Sequence, residues 1–368
     1  MIRNKTGYTY NDLTIIPKVI SSIGSRSECD VYYQDGYLPI FTAPMSAVVN
    51  EHNFECFEDV DVRPILSTAV NFETRIKLFL EGNWCAFSMK EANDLISDTF
   101  LDSVKSPTYC PKSYKICIDV ANGHMMKLID LAKDLREFFS ENNLKLTIMA
   151  GNVANPEVLK YYEGAIDFAR IGIGGGSGCT TTSNTGIHYP LASLINDCKE
   201  FKTKHNLDVK LIADGGIRNY SDVNKALALG ADYVMIGGLF TQMIESASQE
   251  FSKDGLSIDL TATLDKFNMS SDNEKKKRML IDSKSVYHEI YGMSTKRAQQ
   301  ERGLHCLKTS EGTSHKYLVK YTLTQWTKNM KDYLKSAMSY CDCKNLSEFI
   351  GNVELIPNSP LTVSSINK

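Results

Sequence analysis

The chain has 368 residues, of which 42% are hydrophobic and 23% charged, and its formal net charge is −3. This balance is that of a soluble globular protein, and it argues against a nucleic-acid partner because no basic face stands out. No apolar run is long enough to span a bilayer and the N-terminus lacks the apolar core of a signal peptide, so we expect a cytoplasmic protein without a membrane partner. Ten cysteines without a regular framework favour free thiols in a reducing compartment.

Short, nearly continuous apolar runs recur along the chain from residue 39. They occupy residues 39–45, 64–68, 84–89, 115–119, 146–151, 168–172, 211–215 and 233–237. Runs of this length predict parallel strands that are covered on both faces. Helices are predicted between the strands, at residues 72–80, 125–139, 156–162, 191–201 and 221–229.

Eight strands that alternate with helices predict a single (β/α)8 TIM barrel domain over residues 1–350. A doubly wound open sheet is the competing architecture, but it would favour a dinucleotide fingerprint at the first strand, and none is present there. We expect a polar, irregular excursion at about residues 249–285 of this domain. Residues 351–368 are expected to form a disordered C-terminal tail, because Pro, Ser and Asn are frequent near its end.

A glycine-rich loop at residues 172–190 follows the sixth predicted strand and contains one cysteine, Cys179. Glycines let the backbone approach a ligand closely. Peptide N–H dipoles around the sulfur favour its thiolate, so Cys179 is a candidate nucleophile. A flexible loop with an incidental buried cysteine is the alternative that this pattern leaves open.

Two further glycine motifs end the seventh and eighth predicted strands, at residues 214–216 (Asp-Gly-Gly) and 237–238 (Gly-Gly). Backbone N–H groups at these two strand ends of a barrel usually hold a phosphate. The hydroxyl of Ser177 is a further candidate phosphate contact, and Asp214 is placed to accept hydrogen bonds from ribose hydroxyls. Tight-turn geometry alone is the other explanation of these glycines.

Four other polar residues are candidates for the same site. Asp119 and Asn152 lie at or just past two other strand ends, where they are either ligand-binding groups or polar caps. Thr181, two residues after Cys179, and Glu311, in a Ser-Glu-Gly turn, are candidates to pass a proton to a leaving group. The sequence leaves open whether Glu311 meets the cysteine or lies in a surface turn.

In combination these motifs resemble the IMP dehydrogenase/GMP reductase family and, within it, the GMP reductases. The resemblance rests on residues 18–30, 118–123, 149–153, 172–190, 214–216, 235–238, 291–294 and 310–312, which follow in the family's order over nearly the full chain. It implies a barrel enzyme of purine nucleotide salvage, in which Cys179 attacks C2 of GMP and ammonia leaves. NADPH then delivers a hydride to the covalent thioimidate, which gives IMP.

The resemblance also implies roles for individual residues. The catalytic positions are Cys179, Thr181 and Glu311. The substrate-binding positions are Ser177, Asp214, Gly215, Gly216, Gly237, Gly238, Gly292, Met293, Ser294, Lys308, Ser310 and Gly312. The cofactor-binding positions are Ser25, Arg26, Asp119, Val120, Ala121, Asn152, Ile173, Gly174 and Lys335. A monovalent cation, usually K⁺, is implied at the carbonyl groups of Gly174, Gly176 and Cys179, and so is a homotetramer.

Two absences favour a reductase over a dehydrogenase. After the second predicted strand there is room for only one helix, whereas most dehydrogenases insert a paired regulatory (CBS) domain there. Residues 294–309 contain no Arg-Tyr pair of the kind with which the dehydrogenase activates water. The alternatives are an IMP dehydrogenase that oxidises IMP to XMP with NAD, and a non-catalytic purine-nucleotide-binding relative.

Some positions depart from the family pattern. Thr182 stands where an arginine usually follows Cys-Thr-Thr, which bears on the cation site, and His188 replaces a glycine. Lys308 and Lys335 replace arginines, and lysine keeps the charge but loses the planar fork. These changes fall on cofactor and cation contacts, so the preference for NADPH over NADH is less closely specified than the purine chemistry.

Overall fold

A computed structural model describes the protein at residues 5–104, 111, 113–176, 179–258, 271–292, 294–301, 303, 306–307, 309–310, 312–359 and 362. Numbered along the chain, the strands are β1 (Leu13–Ile15), β2 (Ile40–Thr42), β3 (Trp84–Phe87), β4 (Tyr114–Asp119), β5 (Leu146–Val153), β6 (Phe168–Ile171), β7 (Lys210–Asp214), β8 (Tyr233–Ile236), β9 (Glu250–Phe251), β10 (Ser257–Ile258), β11 (Tyr287–Tyr291), β12 (Ser314–Leu318) and β13 (Leu355–Pro357).

The α-helices are α1 (Phe54–Glu58), α2 (Phe72–Leu80), α3 (Met89–Asp94), α4 (Asp98–Val104), α5 (Met126–Glu141), α6 (Leu159–Tyr162), α7 (Thr181–Thr185), α8 (Leu191–His205), α9 (Tyr220–Ala228), α10 (Ser271–Lys284), α11 (Lys296–Glu301), α12 (Leu323–Tyr340) and α13 (Leu346–Phe349). None of the helices in the described part of the chain combines the length and the apolar character that a bilayer crossing requires.

Seven parallel strands form one curved sheet in the order β2-β8-β7-β6-β5-β4-β3. Residues 63–66 join its two edges. Arg63 makes a parallel bridge to Phe41 of β2, and Leu66 makes one to Cys85 of β3. These bridges occupy the place of the second predicted strand, although they do not form a continuous ladder. The predicted (β/α)8 TIM barrel is confirmed.

Aromatic side chains fill the end of the barrel at which most strands begin. Phe41, Trp84, Phe168 and Tyr233 pack against one another, with ring centroids 5.3 to 6.2 Å apart. The Arg63 guanidinium lies 5.2 Å from the Tyr233 ring centroid, where a cation–π contact is favourable. Because this end is packed with side chains, the polar strand ends at the opposite face are the place for a ligand.

The helices pack on the outside of the sheet through apolar stripes. In α5, the buried residues Leu128, Ile129, Leu131, Leu135 and Phe139 recur at helical spacing. The strands that they cover are apolar on both faces, since the interior side chains face the barrel core. The alternation of short apolar runs and amphipathic stretches therefore produces this architecture directly.

The polar excursion at 249–285 is more ordered than predicted, apart from residues 259–270, which lie outside the described residues. β9 and β10 pair with each other, and β9 also pairs with β11 of the β11–β12 hairpin. Lys277 of α10 is buried and forms an ion pair with Glu245 at 2.9 Å. The other carboxylate oxygen of Glu245 accepts a hydrogen bond from Leu323 N at 2.9 Å. Paired polar groups therefore anchor a helix whose composition had predicted irregular chain.

The predicted disordered tail is also wrong for part of its length. β13 pairs antiparallel with β1, so that Ile356 lies opposite Thr14. Ile16 N donates to Glu354 O at 2.8 Å and extends the contact. The partner strand is more than three hundred residues away in the sequence, and local composition carries no information about such a pairing.

Candidate active site

One arginine joins three strand ends at the open face of the barrel. Arg170 of β6 donates from Nη1 to Asp119 Oδ1 at 2.5 Å, and from Nε and Nη2 to Asp214 Oδ2 at 3.1 and 2.9 Å. Asn152 Nδ2 donates to the same Asp214 oxygen at 2.7 Å. The sequence predicted that Asp119, Asn152 and Asp214 lie around one mouth, and these contacts bring them together.

Electrostatics keep the Arg170 guanidinium in its charged form. Only 7% of the Arg170 side chain is exposed. Burial opposes its charge, but the carboxylates of Asp214 and Asp119 raise the pKa of Arg170 well above its usual value. A buried guanidinium that has two carboxylate partners satisfies the rule that charges inside a protein are paired. Arg170 and its two carboxylate partners therefore form a fixed ion-pair network at the open face of the barrel.

The cysteine loop lies directly against the Asp-Gly-Gly strand end. Gly216 N donates to Gly175 O at 2.9 Å. A Cβ added to Gly215 would lie 3.0 Å from the carbonyl carbon of Gly175, so the two backbones approach too closely for a side chain. Gly215 also has a φ of +107°, which favours glycine. Close approach, as well as turn geometry, explains this glycine.

Cys179 is half-buried within this loop. Its Sγ lies 3.2 Å from Thr181 Oγ1, and its N–H donates to Gly176 O at 3.0 Å. Cys179 also makes an antiparallel bridge to Gly312. The bridge places the cysteine loop next to Gly312, a proximity that the sequence had left open.

The β11–β12 hairpin carries four of the predicted substrate residues, Gly292, Ser294, Ser310 and Gly312. Gly292 N donates to Thr313 O at 3.3 Å, next to Gly312. Ser294 O accepts a hydrogen bond from Gln299 Nε2 at 2.9 Å, and Ser310 Oγ donates to Gly312 O at 3.1 Å. The loop after β11 and the turn before β12 are therefore held together beside Cys179.

The ends of β2 and β8 complete the ring of strand ends. A Cβ on Gly237 would lie 3.0 Å from Met45 Sδ, so Met45 covers this glycine. Gly238 O accepts from Thr241 Oγ1 at 2.7 Å. Ser46 Oγ lies 3.1 Å from the Tyr291 hydroxyl, which links the segment after β2 to the end of β11. Burial raises the pKa of Tyr291 to about 12, so its hydroxyl stays protonated.

Thr182 and His188, two residues that differ from the family pattern, contact each other across the cysteine loop. Thr182 Oγ1 lies 3.4 Å from His188 Nδ1, and the same nitrogen lies 3.1 Å from Ile173 O. Gly174 has a φ of +77°, and a Cβ there would fall well inside contact distance of Thr182 Oγ1. Thr182 therefore packs directly on the glycine backbone of the loop.

Val120 and Ala121 continue the chain from Asp119. Val120 N donates to Gly151 O at 3.1 Å, and Asn152 N donates to Val120 O at 2.9 Å. Ala121 is exposed next to them. These residues therefore lie at the mouth, beside the Arg170 cluster.

Three predicted cofactor residues lie on different elements. Ser25 caps a short 3₁₀ helix, and Arg26 Nη1 donates to Ser336 Oγ of α12 at 3.3 Å. Lys335 is the neighbour of Ser336 on α12. Ser25 and Arg26 therefore lie beside the part of α12 that carries Lys335. Ser177, Met293, Lys308 and Glu311 lie outside the described residues.

Sequence reasoning missed Arg170 as a site residue, because it treated residues 168–172 as an apolar strand. A signal was available, since a charged residue inside a buried strand needs charged or polar partners.

Metal binding by side chains has no support, because the described residues contain no group of three or more His, Cys, Asp or Glu side chains that could hold a metal ion.

Comparisons with known proteins agree with this geometry. Residues 113–365, well over half of the chain, match the model of the IMP dehydrogenase / GMP reductase domain. "GMP reductase" of Onchocerca volvulus is 27% identical over 363 residues, which are 94% of this chain and 90% of that protein. "GMP reductase 1" of Homo sapiens is 32% identical over 288 residues, which are 73% of this chain and 77% of that protein. "GMP reductase" of Tolumonas auensis is 30% identical over 267 residues, which are 67% of this chain and 72% of that protein. Together with the barrel and the cysteine loop at its mouth, these matches mean that the chain belongs to the IMP dehydrogenase/GMP reductase family.

Proposed function

We propose that this chain is a GMP reductase, which converts GMP and NADPH to IMP, ammonia and NADP⁺ in purine nucleotide salvage. The observation that carries the proposal is the bridge between Cys179 and Gly312, which sets the one cysteine of the glycine-rich loop against the Ser-Glu-Gly turn. The names of the curated relatives support the same reaction. The function follows from the site, since the barrel fold alone serves many chemistries.

The first half of the reaction is a substitution at C2 of the purine. The Cys179 thiolate forms a bond to C2, and the exocyclic amino group leaves as ammonia after it gains a proton. Thr181, whose hydroxyl lies 3.2 Å from the sulfur, and Glu311, which stands between Ser310 and Gly312 in the sequence, transfer that proton. The product of this half is a thioimidate between Cys179 and the nucleotide.

The second half restores the free thiol. When bound, NADPH would supply the hydride to C2, the electrons of the C2–S bond would return to sulfur, and Cys179 would be left as the thiolate while IMP is released. The chain's own contribution is to hold both nucleotides in register and to keep water from C2. Gly292 and Gly312, joined through Thr313 next to the cysteine, belong to the segments that we assign to the purine.

The nucleotide's ribose and phosphate are assigned to the glycine strand ends. Asp214 accepts hydrogen bonds from the ribose hydroxyls, and the backbone at Gly215, Gly216, Gly237 and Gly238 receives the phosphate together with Ser177. Ser294, Met293, Ser310 and Lys308 complete the set of substrate contacts. The close approach of Gly215 and Gly175 supports this assignment, because two glycines without side chains leave their backbone N–H groups accessible to a phosphate.

The residues at the end of β4 fit a nicotinamide nucleotide. Asp119 gives one carboxylate oxygen to Arg170, and ribose hydroxyls are donors that suit the other. Val120 and Ala121 follow Asp119 in the chain, and we assign them to the cofactor together with Asn152, Ile173 and Gly174. Ser25 and Arg26 lie beside Lys335 of α12, and we assign these three residues to the cofactor of a neighbouring subunit.

A monovalent cation, K⁺, is assigned to the carbonyl groups of Gly174, Gly176 and Cys179. Carbonyl oxygens suit such a hard cation. Gly176 O uses one lone pair to accept from Cys179 N at 3.0 Å, and a second lone pair remains. Replacement of K⁺ by the larger N-methylglucamine cation should lower kcat if the site exists.

We further propose a cytoplasmic homotetramer. Val19 is fully exposed and Ile20 is 82% exposed, beside Tyr340, whose carbonyl accepts from Lys18 N. Apolar side chains that are exposed together support a subunit interface at this surface. Analytical ultracentrifugation of the full chain distinguishes a tetramer from a monomer, and Ile20→Asp should dissociate the tetramer.

Scattered cysteines favour the reducing cytoplasm, and imaging of a tagged protein can test this localisation.

Purified protein with GMP and NADPH tests the reaction itself. We expect the absorbance of NADPH to fall, with IMP and ammonia formed in equal amounts. Mass spectrometry after GMP addition should find a purine adduct on Cys179. NADH formation from IMP and NAD would instead support the dehydrogenase alternative, and GMP binding without any turnover would support a non-catalytic relative.

A further inference from the structure

We propose that Arg170 is a positioning residue that couples the substrate ribose site to the cofactor site, an inference that rests on the proposed function. Its guanidinium reaches Asp119 at the end of β4 and Asp214 at the end of β7 at the same time. Those two carboxylates are the groups that we assign to the cofactor and to the nucleotide ribose. One planar cation therefore sets the distance between the two ligands that must exchange a hydride.

The hydrogen-bond pattern uses one oxygen of each carboxylate. Asp214 Oδ2 accepts from Arg170 Nε, Arg170 Nη2 and Asn152 Nδ2, and Asp119 Oδ1 accepts from Arg170 Nη1. Among the described residues, no hydrogen bond uses Asp214 Oδ1 or Asp119 Oδ2. Each carboxylate is therefore fixed in its plane by one oxygen while the other is left for a donor from a ligand.

The hydrogen bonds of Arg170 fix its orientation, so its role goes beyond neutralising the charge of Asp119 and Asp214. Its side chain is 7% exposed, and three of its nitrogens make hydrogen bonds to carboxylates. The fixed fork geometry of a guanidinium spans two acceptors, which a lysine ammonium on a flexible chain cannot reproduce. In this proposal Arg170 acts on the two ligands through Asp119 and Asp214.

The chain offers a matched control at the other end of the same strand. Arg136 Nη2 donates to Asp167 Oδ2 at 2.8 Å, and Asp167 directly precedes β6. This is also an arginine–aspartate pair between α5 and the sheet, but it lies at the end of β6 away from the mouth. Arg136→Met removes an arginine–aspartate pair of the same strand, although a more exposed one, since 33% of the Arg136 side chain is exposed, and it leaves the proposed ligand sites untouched.

The test compares wild type, Arg170→Met, Arg170→Lys and Arg136→Met as full chains. Calorimetric titration with GMP and with NADPH, each alone, gives two dissociation constants per variant, and thermal unfolding checks the fold. We expect Arg170→Met to raise both constants by about tenfold or more, since each carboxylate loses a charged hydrogen bond. We expect Arg170→Lys to keep binding within about threefold of wild type but to lower kcat about tenfold or more, because the register between the nucleotides is lost.

Arg136→Met should keep both constants and kcat. A wild-type constant for either nucleotide in Arg170→Met, or an equal loss in Arg136→Met, overturns the coupling. If Arg170→Met lacks cooperative unfolding, Arg170→Lys decides, and a wild-type kcat in that variant overturns the proposal. A wild-type protein that binds both nucleotides but makes no IMP refutes the proposed reaction while the binding comparison still stands.

Discussion

Replacing Gly174 by alanine tests whether the position of Cys179 depends on the glycine backbone of its loop. Gly174 has a φ of +77°, and an added Cβ would overlap Thr182 Oγ1. Thr182 belongs to α7, which begins two residues after Cys179. Thr182 must therefore move, and we expect its movement to shift α7 and with it the hydrogen bond between Cys179 and Thr181.

Two effects contribute, and each has its own magnitude. An alanine in the left-handed region costs about 1–2 kcal/mol of stability. A misplacement of the reacting groups by about 1 Å lowers a rate by about 10²-fold. Gly164 separates these effects, because it has a φ of +74° and no atom lies within 4 Å of an added Cβ. Gly164→Ala should therefore lose stability alone, whereas Gly174→Ala should lose stability and about 100-fold in kcat/KM.

The assay is NADPH oxidation with GMP, combined with thermal unfolding and with the rate at which iodoacetamide alkylates Cys179. Thr182→Ala in the Gly174→Ala background removes the overlapping oxygen and should restore part of the lost activity. Equal kcat/KM in Gly174→Ala and Gly164→Ala would refute the reasoning. So would a Thr182→Ala rescue that changes only the unfolding temperature.

Other substitutions separate chemistry from stability. Cys179→Ala should bind GMP with wild-type affinity but form no adduct in mass spectrometry, and an adduct in this variant would exclude Cys179 as the nucleophile. Glu311→Gln should lower kcat for ammonia release by about 10²-fold, since general acid catalysis contributes on that scale, and an unchanged kcat contradicts its role. Lys277→Met should destabilise the fold by about 3–5 kcal/mol in urea unfolding, because Glu245 keeps a buried charge without its partner. Burial already raises the pKa of Glu245, which the charge of Lys277 opposes, so the folded state of Lys277→Met binds a proton more tightly than the unfolded chain does. The variant should therefore regain stability relative to wild type as the pH falls from about 7 towards about 5, and a further loss relative to wild type over that range would contradict the assignment.

The sequence predicts most of the barrel because its signals are local. Apolar runs such as residues 146–151 and 211–215 become β5 and β7 with small shifts at their ends. Residues 64–68 are the exception, since the two bridges at Arg63 and Leu66 hold that segment without a full ladder. Hydrophobicity shows that a segment is buried, but the number of hydrogen bonds that it makes depends on how the barrel closes.

In the candidate site, too, the sequence predicts the features that local patterns determine and misses those that depend on long-range contacts. The position of Asp119, Asn152 and Asp214 around one mouth follows from the parallel barrel, because its strand ends meet at one face. The partnership of Arg170 with two of them depends on which side chains face inward at neighbouring strands. The docking of Lys277 on Glu245 and the pairing of β13 with β1 are likewise long-range contacts. Composition had predicted irregular chain in both cases, since it does not register partners that are distant in sequence.

The pairing of β1 with β13 has a practical consequence for work on this enzyme. A truncation at residue 350 that removes an apparently dispensable end would strip β1 of its hydrogen-bonding neighbour. The bared backbone of Leu13–Ile15 would then be an open edge to which a second molecule can add. Shortened versions should accordingly precipitate more readily than the intact polypeptide, and affinity handles belong beyond residue 359 rather than in place of the last strand.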